Sequence, residues 1–274
     1  MSVFFDYRTD SSGDWELMPT VLGGTASKFI KVNTTGAEYD GTDYVGWQRQ
    51  ENGNSIQAAI VKAIEKLTLE KATVFGAGRT DAGVHAKGQV AHFDIKKNFT
   101  IENIRDGLNQ HLRPQPISII KVEKVTEEFH ARFSANYRIY EYLIVNRRSP
   151  LTIKKNRAWI VFKKLNLDKM QKESSHFIGK HDFNAFRSIN CQSSSSIKTI
   201  DSFDTYVQDE NIRIKVKAKS FLHSQVRIMV GTLVDIGKEK ISSVSIKDII
   251  NNKDRDKAGV TAPACGLYLI EVGY

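Results

Sequence analysis

Between Ile212 and Ser220 apolar and basic residues alternate without a break. Ile212, Ile214, Val216 and Ala218 take one side, and Arg213, Lys215, Lys217 and Lys219 the other. A period of two is that of a β-strand with one buried face. A sheet with one apolar face must cover it with other elements, so the neighbouring segments have to supply strands to pair and helices to pack.

They do. Residues 28–40, 72–75, 88–95 and 117–125 read as strands. Ile56, Ile60, Ala63, Ile64 and Leu67 fall at helical spacing behind Asn54 or Ser55 as a cap, and Ile101, Ile104, Leu108 and Leu112 mark a second helix. The first half is therefore predicted as β-α-β-β-α-β. In the second half, 137–146, 157–162, 202–207 and 266–272 read as strands. Residues 167–178 and the segment around Val226, Met229, Val230 and Leu233 read as helices, as does 246–250. Without strict β-α-β alternation, this predicts an α+β fold with antiparallel or mixed sheets. The halves are predicted to be two pseudo-equivalent subdomains around a central basic cleft, residues 28–127 and 128–274. Residues 1–27 show no clear periodicity and read as a leader or disordered extension.

The chain of 274 residues carries a formal net charge of +9, which favours polyanionic partners, nucleic acid first. No run approaches the roughly 20 apolar residues of a membrane span. The two cysteines, Cys191 and Cys265, cannot build a disulfide framework or a thiolate zinc site, and they fit a reducing, cytoplasmic setting. The seven histidines show no metal-ligand spacing, and there is no phosphate-binding Gly-Lys-Ser/Thr loop.

The segment richest in chemistry is Gly76-Ala-Gly-Arg-Thr-Asp-Ala-Gly-Val-His-Ala86, where glycines flank Arg79 and Asp81. A carboxylate on such a loop can act as a nucleophile or general base. The same residues also suit a plain turn. Further blocks accompany it: Glu38-Tyr-Asp-Gly41, Gly46-Trp-Gln-Arg-Gln50, Phe129-His-Ala-Arg-Phe-Ser-Ala135, Tyr140-Glu-Tyr142, Phe183-Asn-Ala-Phe-Arg187, Cys191-Gln-Ser193, Phe221-Leu-His-Ser-Gln-Val-Arg-Ile-Met-Val-Gly231 and Gly266-Leu-Tyr-Leu269.

In this order, and over about residues 28–274, these blocks resemble the TruA-type tRNA pseudouridine synthases. The resemblance implies a cofactor-free and metal-free enzyme that isomerises uridines at or near positions 38 to 40 of the tRNA anticodon stem-loop. It also implies a homodimer, with tRNA bound across both subunits. Asp81 matches the nucleophile, Tyr140 the tyrosine that stacks on the target base, and Arg227 the arginine that pairs with the carboxylate. Arg79 matches the arginine associated with RNA binding and base extrusion. Arg49 and Arg132 are further substrate-binding candidates, and Arg138, Arg147, Arg148 and the basic strand face are weaker ones. At Ser224-Gln225 the chain departs from the pattern, which more often has His-Met.

The roles are physically coherent. Moving the glycosidic bond from N1 to C5 requires no redox step. A carboxylate can attack C1′ or C6, or abstract a ribose proton, and the sequence does not choose among these. A poorly solvated carboxylate needs a cation to stay ionised. Extruding the base costs a few kcal/mol, and an aromatic face at Tyr140 recovers roughly 1–3 kcal/mol. Two other classes compete: a non-catalytic RNA-binding protein of the same fold, and a metal-dependent nuclease. The nuclease needs clustered carboxylates, which the sequence around Asp81 lacks.

Overall fold

The last strand of the chain holds the two halves together. The computed structural model describes residues 4–9, 15–20, 30–51, 53–240 and 245–274. The first half contains β3 (Ile30–Tyr39), α1 (Ile56–Thr68), β4 (Phe75–Gly76), β5 (His85–Ile95), α2 (Ile101–Leu112), β6 (Ile117–Ile119) and β7 (Glu123–Lys124). It follows β1 (Phe4–Thr9) and β2 (Trp15–Thr20). The second half contains β8 (Tyr137–Asn146), β9 (Trp159–Val161), α3 (Leu167–Ser174), β10 (Gly179–Asp182), β11 (Ile197–Gln208), β12 (Asn211–Ala218), α4 (Gln225–Gly237), α5 (Ile246–Asn252) and β13 (Leu267–Gly273).

Eleven of these strands form one sheet in the order β10-β11-β12-β8-β13-β5-β3-β6, with β4, β7 and β9 on the flanks of β5, β3 and β8. β13 runs parallel to β5 and antiparallel to β8. Its Leu269 pairs with Ala86 on one side and Tyr140 on the other. The end of the Gly-rich segment and the Tyr140 strand therefore sit two ladder steps apart. One apolar core includes residues from α1, α2, both halves of the sheet and α4.

Local sequence explains the elements. Ser55 caps α1 by accepting the Ala58 N–H. β12 buries Ile212, Ile214, Val216 and Ala218 and leaves Arg213, Lys215 and Lys217 half-buried, as the alternation predicts. α4 is buried all round except at Arg227, so its one basic residue marks where the helix meets the cleft.

The boundaries differ in places. The strand expected over residues 117–125 is split into β6 and β7. Gly36, at φ +91°, introduces a register shift into β3, so β6 pairs beyond it and β7 before it. The helix expected over 167–178 ends in a 3₁₀ turn at Ser175–Phe177. The hydroxyls of Ser174 and Ser175 bond to the carbonyls three residues back, which competes with helical continuation. The strand expected over 72–75 is the shorter β4, and β10, a polar edge strand without alternation, escapes the sequence reading. Within residues 1–27, β1 and β2 pair antiparallel as a separate two-stranded sheet. The rest of that stretch lies outside the described residues. Among the described residues no helix is long and apolar enough to cross a membrane.

Leu269 is fully buried, so Leu269→Ala should lower unfolding free energy by about 2–5 kcal/mol in urea titrations. A loss well under about 1 kcal/mol would mean the halves cohere without this strand's packing. His92 gives a second test. Burial, with the charges of His130 and Lys31, pulls its imidazole down to about 4. The folded chain thus keeps His92 neutral while the unfolded chain binds a proton near pH 6.5. The stability this contributes is complete above the unfolded value and is lost as pH falls towards about 4. His92→Gln retains an acceptor for the Ala131 N–H and should flatten the loss of stability on acidification. An unchanged slope would assign that loss to other groups.

Candidate active site

The loop between β4 and β5 is held by hydrogen bonds from several directions. The Gln89 amide donates to the Gly78 carbonyl at 2.8 Å, and the hydroxyls of Tyr39 and Thr80 bond at 2.8 Å. The N–H of Trp47 donates to the Thr80 carbonyl, and that of Gly83 to the Tyr44 carbonyl. Gly46 makes this approach possible. Its φ is +109°, and a Cβ there would lie 2.5 Å from the Thr80 carbonyl oxygen. Gly83 turns the chain with φ +76°.

Asp81 is thereby presented to the start of α4. Its Oδ2 accepts from Arg227 Nη1 at 2.8 Å and from the Ser224 hydroxyl at 3.0 Å. Its Oδ1 faces His223 Nε2 at 3.4 Å. Ser224 occupies the cap position of α4 in the left-handed conformation, and its side chain caps no helical N–H. The hydroxyl serves Asp81 instead. Arg227 is itself fixed, because its Nε donates to the Ala262 carbonyl at 2.8 Å. The side chains of Asp81 and Arg227 are only 23% and 18% exposed, so the pair is shielded from water while remaining open to a cleft. Among the described residues no cluster of three or more potential metal ligands occurs.

The cleft has a volume of about 1150 Å³, and Arg79, Asp81, Arg132, Tyr140, His223 and Arg227 all line it. Tyr140 reaches it from β8. Its ring meets Phe221 edge-on at 5.3 Å. The ring is buried, and burial pushes its phenol far above the usual range. Arg79 and Arg132 are exposed at the cleft. Phe133, 73% exposed, stands beside Arg132 and over His130, with ring centroids 4.4 Å apart.

Not every candidate gathers here. Arg49 is exposed but does not line the cleft. Arg138, expected among the basic surface residues, is buried. Its guanidinium donates to the carbonyls of Ala77, Arg132 and Lys219, so it braces the Asp81 loop from behind. Arg147 pairs with Glu210, and Arg213 with Glu141. Sequence reasoning assigned no role to His223 or Ser224. The signal was adjacency: both stand immediately before the helix that carries Arg227.

The family described as tRNA pseudouridine synthase matches residues 37–134 and 174–274. The chain belongs to this family. Relatives named tRNA pseudouridine synthase A are 50% identical in Ehrlichia canis and 48% identical in Wolbachia pipientis, each alignment covering 86% of this chain and 97% of the relative. One from Paramagnetospirillum magneticum is 48% identical, over 86% of this chain and 93% of its own length. The two matched segments contain Asp81 and Arg227.

Gly46→Ala tests whether the loop's position sets activity. The added methyl must displace the Thr80 carbonyl and with it Asp81. Turnover should fall by roughly 10²-fold, the scale of a 1 Å misplacement, while the chain stays folded by circular dichroism. Unchanged turnover would show that the Gly46 approach does not position Asp81.

Proposed function

We propose that the chain isomerises uridine to pseudouridine in tRNA, at positions 38 to 40 of the anticodon stem-loop, with Asp81 as the nucleophile. The observation that carries this reading is the Asp81–Arg227 pair in the cleft. A guanidinium at 2.8 Å and a hydroxyl at 3.0 Å donate to one oxygen of the carboxylate and fix its direction in the cleft. The extruded base enters the cleft against Tyr140, and Arg79 and Arg132 take phosphate groups of the flanking strand. The net charge of +9 supports a basic RNA-binding cleft between two subdomains divided near residues 127–128. A homodimer in the cytoplasm completes the reading, and the unpaired thiols of Cys191 and Cys265 suit that compartment.

The rate-bearing event is departure of uracil from C1′ and its return through C5. Arg227 stabilises the anionic Asp81 before attack and again as the product leaves. Because Arg227 is anchored at Ala262, this stabilisation needs no rearrangement when charge returns to the carboxylate.

The decisive experiment follows tritium released from tRNA labelled with 5-[³H]-uridine, in the presence of a chelator. Asp81→Asn and Asp81→Ala should reduce release to background while tRNA binding, read by filter retention, stays close to that of the unaltered chain. Persistent release by Asp81→Ala would refute the assignment of the nucleophile. No release from the unaltered chain with tRNA still bound would support a non-catalytic RNA-binding protein. At Tyr140, replacement by Leu should weaken turnover by the roughly 1–3 kcal/mol of a base stack, and replacement by Phe should do so far less. Equal losses would place the role in the hydroxyl.

A further inference from the structure

Any route from uridine to pseudouridine ends with the same proton problem. Once C5 has bonded to C1′, it carries both its original hydrogen and the new carbon. The C5–H electron pair must form the C5–C6 double bond while the C6–N1 double bond gives its pair to N1, which takes a proton from water, and a base must take the proton from C5.

We propose that His223 is this general base. The inference rests on the reading of Asp81 as the attacking carboxylate. The two oxygens of Asp81 are unequal. Oδ2 accepts from both Arg227 and Ser224, whereas Oδ1 meets only the His223 ring, at 3.4 Å, among the described residues. Oδ1 is therefore the oxygen with lone pairs available to attack. His223 Nε2 lies 3.4 Å from it. Reacting atoms meet at about 3–3.5 Å, so a uracil ring held at Oδ1 brings C5 within reach of this imidazole.

The other candidates in the cleft fit worse. Tyr140 holds its proton tightly, because burial disfavours the phenolate. His130 Nδ1 is engaged by the N–H groups of Arg132 and Phe133. Beyond its 3.4 Å contact with Asp81 Oδ1, the His223 ring has no polar partner among the described residues, and its side chain is 43% exposed. It can therefore accept a proton from the substrate and pass it to water.

The geometry also times the transfer. While Asp81 is bonded to the substrate it carries no charge. When the product forms, Asp81 is released as a carboxylate 3.4 Å from the imidazole, which stabilises the imidazolium at the moment it is created. The proton then leaves through the exposed side of His223, and both groups return to their starting states.

The test compares the unaltered chain with His223→Gln on tRNA carrying either ordinary or C5-deuterated uridine, in single-turnover reactions. The expected result is a rate lower by roughly 10²–10⁴-fold, with a primary isotope effect larger than that of the unaltered chain. An unchanged rate overturns the proposal. A lower rate with no gain in isotope effect also overturns it, because His223 would then serve only to position Asp81. Should His223→Gln show no activity at all, His223→Gly is assayed with added imidazole. Recovery of turnover supports the proposal, and its absence overturns it. Failure of the nucleophile reading is distinguishable, since it appears as turnover by Asp81→Ala.

Discussion

The ion pair between Asp81 and Arg227 joins residues 146 positions apart in sequence, and the fold is arranged around making it. Asp81 belongs to a loop of the first half and Arg227 to a helix of the second. Local sequence cannot bring them together. β13 does so, by pairing in parallel with β5 and antiparallel with β8. Closing this junction is entropically costly because the partners are distant in the chain, and the shared apolar core offsets that cost. A half-buried ion pair contributes little to stability on its own. The stability that holds the pair in place comes from the core around it.

The same division of labour runs through the layer behind the site. Tyr39, Gln89, Trp47 and Arg138 touch the loop through hydroxyl, amide, backbone and guanidinium groups, none of which needs to meet substrate. Arg138 illustrates the point. Three carbonyls from three segments converge on one buried guanidinium, and burial lowers its proton affinity. Its planar fork of donors suits this geometry in a way an ammonium would not. A cation that looks available for phosphate in the sequence is thus part of the frame.

Periodicity made the elements legible, and motifs made part of the site legible. The alternation at Ile212–Ala218 and the spacing in α1 and α2 report burial directly, because one face of each element must meet the core. Gly78 to His85 and Phe221 to Gly231 pointed to Asp81 and Arg227 through resemblance. What stayed hidden depends on three-dimensional convergence. The Gly36 bulge that splits β6 from β7 leaves no period. Arg138 and Arg213 read as basic surface in one dimension, yet their partners lie on other strands. Ser224 read as a departure from a pattern, whereas its hydroxyl reaches Asp81.

Several of the arginines that read as basic surface are already matched within the protein. Arg213, Arg147 and Arg157 are paired with Glu141, Glu210 and Asp40, and Arg138 with carbonyls. Lys217 lies over the Tyr137 ring. Arg79 and Arg132 form no ion pair among the described residues and open onto the cleft, with the exposed ring of Phe133 beside them. Cations already matched within the protein gain little by meeting a phosphate, since an existing contact must be given up. Unmatched ones gain the full charge-assisted bond and release counterions from the nucleic acid. In the proposed reading, Arg79 and Arg132 therefore supply attraction for phosphate at the mouth of the cleft that holds Asp81.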